Sequence, residues 1–397
     1  MRLLYLTHTC PYPPNKGDRI RCFNILKHLS KKYDVDIIYP SFSNDHLGCK
    51  EALHPYCRNV RPVKLNRMPA YWRCLSALFT GQPLTAAYFY TKKIAALVQA
   101  DAYDLVIVDC SSMASYVLNE RIPKILDFVD VDSQKWKLYS AMTSFPINFL
   151  YKLEAKRLLQ FEDRICRNFD FCLVVSDCER QLLTGRENIF ITPNGTDLQF
   201  STLEKNQPEQ TIIFSGAMNY FPNIDAVIYF YQSILPLIRK EIPTIKFIIA
   251  GMQPSSKIRK LENNYTIVTG FIPDMKEYLS KASVCVVPLR IARGIQNKIL
   301  EAMAIGVPVV ATSNANEGIH AVDKEEIMIA DNPRDFANAT VSLLKNEELR
   351  SLIAKKARLY VEKNFCWEMN LRKLDEMISL IAERRDISTS CSIKVSE

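Results

Sequence analysis

The chain predicts an α/β fold of two parallel-sheet domains, and three observations carry that prediction. Short apolar runs rich in β-branched residues alternate with helical stretches through both halves. Many of these runs are bounded by Gly, Pro or Asn and are apolar throughout, as strands covered on both faces of a parallel sheet should be. The length of 397 residues suits two domains, and 48% hydrophobic with 24% charged residues is ordinary globular composition, enough for a core in each half.

In chain order, the first series has strands expected over 3–7, 35–39, 60–65, 105–108, 124–129, 171–176 and 189–192. Helices fit between most of them. One spans 18–32 with Asp18 as its N-cap, and a long one of mixed charge spans 147–169. Pro193-Asn194-Gly195 marks a turn, and with the polar run Glu204–Gln210 it places the join between domains. The second series has strands expected over 211–215, 245–250, 266–269, 283–287, 307–311 and 327–329, with helices over 223–239, 275–281 and 335–345. Beyond Glu383 the chain is polar and serine-rich, which predicts a loose tail over 384–397. The expected organisation is therefore a Rossmann-like domain over 1–197, a second over 198–383 with its last helix a candidate to pack back on the first, and a cleft between them. The halves share architecture but no sequence repeat.

Composition excludes several classes. No run of 18 apolar residues offers a transmembrane helix. The N-terminus has only four apolar residues between Arg2 and Thr7, which fits a first strand and not a signal peptide, so a cytoplasmic location is expected. The 12 cysteines are scattered without a C-x-x-C pair, and several, such as Cys172 and Cys285, sit in apolar runs where a thiol behaves as a hydrophobe. Cys166, Cys172 and Cys178 lie six apart, which matches no zinc pattern and has no histidine nearby, so no metal is expected. The net charge is +8, with 26 Lys and Arg against 20 Asp and Glu in residues 1–197. A basic first half suits an anionic substrate or peripheral contact with an anionic membrane at its inner face, although a solvated surface gives the same count. Nucleic acid is not among the expected partners.

The stretch that carries chemistry is Val284–Ser313, VCVVPLRIARGIQNKILEAMAIGVPVVATS, which reads as strand, glycine turn, helix and strand. Gly294 precedes the helix, so free N–H groups around Ile295, Gln296 and Asn297 would meet a phosphate at the positive end of the helix dipole. Lys298 and Glu301, three residues apart, share one helix face, placing an ammonium for a diphosphate and a carboxylate for ribose hydroxyls. An amphipathic helix with solvated charges is the plainer alternative. Position decides between them, because the pair lies beyond the carboxyl end of a parallel strand, where open α/β sheets bind ligands.

Four motifs bring in a resemblance: PYPPNKGD at Pro11–Asp18, PNGTD at Pro193–Asp197, Phe214-Ser215-Gly216, and Lys298 to Val310 with its Glu301-Ala302-Met303-Ala304 core. With these the whole chain resembles the GT-B glycosyltransferases of the large retaining family 4. More narrowly PYPPNKGDRIR, DFVDVDSQKW (Asp127–Trp136) and GIQNKILEAMA resemble the exosortase-associated sugar transferases of bacterial exopolysaccharide gene clusters. The resemblance implies that a nucleotide diphosphate-sugar is bound as co-substrate, with no further cofactor, its nucleotide on the second domain and its sugar facing the first. The acceptor is then a sugar or a lipid-linked glycan. Lys298 would neutralise diphosphate charge as the glycosidic bond breaks, and Glu301 would bind the ribose. Gly17 and Gly216 would let backbone approach the donor without a Cβ in the way, Gly17 being equally readable as an ordinary turn glycine. Asn219 and Asn223 are weaker candidates.

The sequence departs from the family pattern at one place. Two glutamates with seven residues between them are usual, and counting back from Glu301 reaches Arg293. Arg293 and Arg290 become candidate phosphate ligands, or solvated loop residues. Asp130-Val131-Asp132 matches the D-x-D of the other main glycosyltransferase fold, but the alternation with helices fits GT-B, which needs no ion to hold the diphosphate. Asp130 lies in the segment where many relatives carry a histidine near the acceptor hydroxyl, so it is a candidate to orient the acceptor or the donor sugar, with a helix N-cap as the alternative. His8 reads as a local structural residue. Retention would follow from family membership alone, since no second carboxylate offers itself as nucleophile. The competing readings are a GT-B nucleotide-sugar epimerase, which would form product without acceptor, and a non-catalytic nucleotide-binding partner of a polysaccharide assembly complex, which Arg293 would favour. No G-x-G-x-x-G follows the first strand of either half, which argues against a nicotinamide dehydrogenase.

Overall fold

The computed structural model describes residues 1–42, 46–99, 102–183, 186–196 and 210–394. Two compact units are formed, one from Met1–Pro193 with Glu368–Glu397 and the other from Asn194–Trp367. The C-terminal segment thus belongs to the first unit. Of the polar run Glu204–Gln210, all but its last residue lies outside the described residues, as do Asp197 and the residues 198–203 that begin the expected second domain.

The first unit is a seven-stranded sheet of β1 (Arg2–Leu6), β2 (Asp34–Ser41), β3 (Asn59–Lys64), β4 (Leu105–Asp109), β5 (Lys124–Asp127), β6 (Phe171–Val174) and β7 (Ile189–Ile191). The strands run in the order β3-β2-β1-β4-β5-β6-β7, and each pairs in parallel with its neighbour. The second unit has six parallel strands, β8 (Thr211–Ser215), β9 (Lys246–Ala250), β10 (Thr266–Gly270), β11 (Val284–Val287), β12 (Val309–Ala311) and β13 (Met328–Ile329). Its order is β10-β9-β8-β11-β12-β13. Strands such as β1, β4, β8 and β11 are buried along most or all of their length, which is why their sequences are continuous apolar runs and not alternating ones.

All thirteen expected strands are present, and both sheets reverse their winding once. In the first the switch lies between β1 and β4, in the second between β8 and β11. Loops leaving adjacent strands diverge there, which opens a crevice at the carboxyl ends.

Three local expectations need correction. The first helix is Gly17–Leu29 with Lys16 at its N-cap, so Asp18 sits in the first turn instead of capping it. The helix expected over 223–239 is divided into Phe221–Tyr229, a π-helical turn Phe230–Ile234 and Leu235–Glu241. Pro236 explains the break: it lacks an N–H and its ring clashes with the carbonyl four residues back. The last helix, Trp367–Lys394, continues through most of the stretch expected to be loose, because no Gly or Pro interrupts it. Residues 395–397 lie outside the described residues.

Candidate functional site

In the second unit the site is built at the switch point. β8 ends at Ser215, and Gly216 follows with φ 151°. A Cβ at Gly216 would stand 2.7 Å from Asn223 Nδ2 and 3.1 Å from Lys298 Nζ, so a side chain there would close the space around the ammonium. Lys298 Nζ donates to Asn223 Oδ1 at 2.6 Å and lies 4.3 Å from the centroid of the Phe214 ring. Asn223 in turn donates to the Ala217 carbonyl at 3.0 Å. Burial pulls the Lys298 ammonium down to about 8, with Cys285 and Glu301 opposing it only in part. Glu301, one turn further along the same helix, is pushed up to about 7 by burial, with Lys298 and Lys276 opposing. Two half-buried groups of opposite charge with displaced pKa values at a strand-end crevice are the usual mark of a working site.

The helix that carries them is Asn297–Ile305, with Gln296 at its N-cap and no side-chain cap. Among the described residues none accepts a hydrogen bond from the backbone N–H groups of Ile295, Gln296, Asn297 or Lys298, and the first intrahelical bond is Ile299 N–H to the Gln296 carbonyl. These donors stand at the positive end of the helix dipole beside a cation, an arrangement suited to an anion. Gly294 has φ 61°. A Cβ at Gly318 would be 2.3 Å from the Gly294 carbonyl oxygen, so the turn is held by backbone packed against backbone. Gln296 donates to the Arg293 carbonyl at 2.8 Å, and Asn297 accepts from Asn194 at 2.9 Å. That last bond ties the PNG turn to the site helix, and a Cβ on Gly195 would meet Trp367 N at 2.5 Å.

The two arginines have partners of their own. Arg290 makes a two-pronged pair with Asp225 at 3.0 and 2.5 Å and lies over the Tyr229 ring. Arg293 is 3.5 Å from Glu317, the residue before Gly318. Asn219 bonds to Gln253.

The first unit holds a second cluster, at the β1/β4 switch point. His8, just beyond β1, bonds through Nδ1 to Asp109 Oδ2 at 2.5 Å and lies with Nε2 3.5 Å from Asp18. Burial lowers the imidazole pKa, but Asp109 and Asp18 more than offset it, and the ring stands well above the usual histidine value. Asp18 is held at about 2, burial being outweighed by His8. Beside them Arg21, fully buried, grips Asp127 at 2.6 and 2.9 Å and the Thr192 carbonyl at 2.9 Å.

Asp130 belongs to the turn after β5. Val129 there has φ 63°, and Cys110, after the neighbouring β4, has φ 71°. Left-handed backbone at a β-branched residue costs about 1–3 kcal/mol and persists where neighbours enforce it. Here Val129 N–H reaches Asp127 at 3.2 Å and Val131 N–H reaches Glu179 at 2.6 Å. The following helix, Asp132–Ala141, has Val131 at its N-cap, so the capping role considered for Asp130 is not the one it plays. Among the described residues no hydrogen-bond partner meets the Asp130 carboxylate, and burial raises its pKa. Asp132 is committed to Lys135 and to Ser111. No three His, Cys, Asp or Glu side chains converge as a metal site would need, among the described residues. Gly17 is the first residue of its helix.

Sequence reasoning missed Asp109, Gly251, Gly318 and Glu317. The first two carried a readable signal: an aspartate closing the apolar run LVIVD, and a glycine directly after the apolar strand KFIIA.

Two parallel sheets, each with a polar cluster at its switch point, make the GT-B glycosyltransferase fold, and residues 209–346 match the family described as glycosyl transferases group 1. The whole-chain relatives are distant. Over 381 residues the chain is 21% identical to a Klebsiella pneumoniae protein described as "Uncharacterized 44.6 kDa protein in cps region", covering 92% of this chain and 96% of that one. Sucrose-phosphate synthase from Thermosynechococcus elongatus superposes with a TM-score of 0.70 at 17% identity, over 97% of this chain and 100% of the other. Anabaena HepE, solved in complex with UDP-glucose, gives 0.68 at 15% identity, over 96% and 99%.

Proposed function

We propose that the protein is a glycosyltransferase of the retaining family-4 kind, moving a hexosyl group from a nucleoside diphosphate-sugar to an acceptor hydroxyl in the synthesis of a bacterial exopolysaccharide or glycolipid. The observation that carries this reading is Lys298: a recessed ammonium beside Gly216 and Asn223, on a helix whose first N–H groups have no other acceptor among the described residues. An anion with several oxygens satisfies all of these donors at once, and a diphosphate fits that description. Glu301 on the same helix is then the acceptor for ribose hydroxyls. The UDP-glucose held by HepE supports a uridine nucleotide donor. The cps-region relative fits polysaccharide synthesis, while the exosortase-associated branch rests on the sequence motifs alone.

In the transfer, the bond from the anomeric carbon to the diphosphate oxygen breaks and its electron pair leaves with the diphosphate. The acceptor oxygen bonds to the anomeric carbon on the same face, and its proton passes to the departing diphosphate. Lys298 and the helix amides stabilise charge as it develops there, with no metal and no cofactor. Asp130, whose carboxylate has no hydrogen-bond partner among the described residues, orients the acceptor or the donor sugar. Arg290 and Arg293 border the donor site as additional cations. A lipid-linked acceptor would place the protein in the cytoplasm, peripherally at the inner face of an anionic membrane.

Purified protein incubated with UDP-, GDP- and ADP-sugars, with and without lipid-linked acceptors and in EDTA, tests the reading. Acceptor-dependent release of nucleoside diphosphate that survives EDTA is the expected result. Product without acceptor would make the protein an epimerase, and binding without turnover would make it a non-catalytic nucleotide-binding partner.

A further inference from the structure

The helix Arg67–Thr80 presents a largely exposed apolar face, on which Tyr71 meets the Tyr88 ring at 6.0 Å between centroids. Met68, Tyr71, Trp72, Leu75 and Phe79 are between 46% and 87% exposed, while Ala70 and Ala77 are buried. At 3.6 residues per turn the five exposed side chains fall within an arc of about 100°, and the two alanines lie on the opposite side. The helix is therefore seated by its small-residue face and turns its aromatic face outward. Arg73 fixes that seat by donating to the carbonyls of Ala87 and Tyr88, at 3.0 and 2.9 Å.

Charge identifies the occupant. From Ala52 to Ala100 there are seven Lys and Arg and no Asp or Glu, where the chain's average composition would place about five acids. A second exposed apolar segment has the same character. Phe145 and Phe149 are 82% and 64% exposed, and no acid occurs between Ser133 and Leu153, where Lys135, Lys137 and Lys152 lie. The helix Ile147–Asn168 that follows is joined to the last turn of 67–80 by Arg157, which donates to the carbonyls of Ala77 and Leu78 at 2.9 and 2.8 Å.

We infer that the aromatic face of 67–80 docks the protein on an anionic phospholipid surface, lying in the plane of the headgroups. Trp and Tyr, each apolar with one polar tip, suit that depth, and the basic, acid-free sequence in which the helix stands suits phosphate headgroups. A second copy of the chain fits less well, since pairing a segment of seven cations and no acid with itself would bring like charges together. The inference rests on the peripheral-membrane part of the proposed function but does not require the transfer reaction.

Full-length protein mixed with vesicles of phosphatidylcholine, alone or with phosphatidylglycerol, decides the matter. Sedimentation with the anionic vesicles only, weakened by salt, is expected, and Trp72→Ser with Phe79→Ser should reduce it about tenfold or more. Both residues are exposed, so thermal unfolding and UDP binding should be unchanged in the variant. Arg67→Ala gives a second, independent reading through a shallower salt dependence. Wild-type protein that fails to sediment, or a double variant that sediments equally well, overturns the inference. So does a loss of self-association in the double variant, which would make the face a contact between copies. Transfer to a soluble acceptor, measured in parallel, reports separately on the proposed reaction.

Discussion

Lys298 carries its charge at a cost, and that makes its contribution measurable. A lysine pulled down to about 8 by burial is mostly protonated at neutral pH, and a bound diphosphate would raise its pKa again. Affinity for UDP should therefore fall above pH about 8, by up to about tenfold per pH unit for one linked proton. Calorimetric titration of wild type beside Lys298→Met checks this, because only the wild type should show the decline. In the same variant kcat/KM should fall by about 10²–10³, the usual cost of losing one charge-stabilising donor. The unliganded fold should be no less stable, since a desolvated charge has been replaced by an apolar chain. His8 shows the opposite sign. Its pKa is raised in the folded state by Asp109 and Asp18 against burial. Its contribution to stability is thus complete below the unfolded value of 6.5 and is lost as pH rises through the higher folded value. In Asp109→Asn the histidine midpoint followed by NMR should drop toward the ordinary value, and the stability difference from wild type should be largest at acid pH. An unmoved midpoint would mean that Asp109 does not hold the ring.

The elements that sequence pattern revealed most clearly are those whose burial is uniform. Central strands such as β1, β4, β8 and β11 were legible because a parallel strand covered on both faces is apolar along most of its length, the edge strands β3, β10 and β13 by their place in the alternation with helices, and the site helix because Gly294 and the Lys298–Glu301 spacing stand directly in the chain. What sequence did not show depends on approach between distant segments. Nothing local says that Asp18 turns to His8 instead of capping its helix, that Pro236 widens one turn into a π-helix, or that Glu317 meets Arg293. Gly251 stands between the two cases: its place after β9 is legible, but the backbone it approaches is not. It has φ 151°, and a Cβ there would lie 1.7 Å from the Gly216 carbonyl oxygen. Gly251→Ala must therefore displace the turn that leaves room for the Lys298 ammonium. A loss of about 2–4 kcal/mol in chemical denaturation is expected, combining strain with overpacking, together with weaker UDP binding. Asp225→Ala, by contrast, frees Arg290 and leaves that turn untouched, so UDP affinity should hold or improve.

On the scale of the whole chain, sequence order and structural membership part company at the C-terminus. From Glu368 on, the helix Trp367–Lys394 belongs to the first unit although the second intervenes. Leu371, Leu374, Met377, Ile378 and Ile381 are all buried. Asp375 pairs with His28 at 3.0 Å and Lys32 at 2.7 Å, and Arg385 pairs with Asp104 at 2.9 Å. Five buried apolar side chains at about 1.5–3 kcal/mol each amount to on the order of 10 kcal/mol, an upper figure that still equals the whole stability of many domains. The ion pairs made by the half-exposed Lys32 and Arg385 add little beside it. Residues 1–193 expressed alone should consequently be soluble only poorly and unfold without a cooperative transition, and residues 368–397 supplied in trans should restore one. The second unit makes the opposite prediction. Gly216, Asn223, Lys298 and Glu301 lie within 194–367, and the PNG turn is closed by Thr196 N–H to the Phe365 carbonyl at 2.8 Å. That fragment should fold by itself and bind UDP with close to full-length affinity while catalysing no transfer. A fragment that folds without binding UDP would show that the anion site of the 297–305 helix is insufficient for the nucleotide, and would move the donor reading away from Lys298.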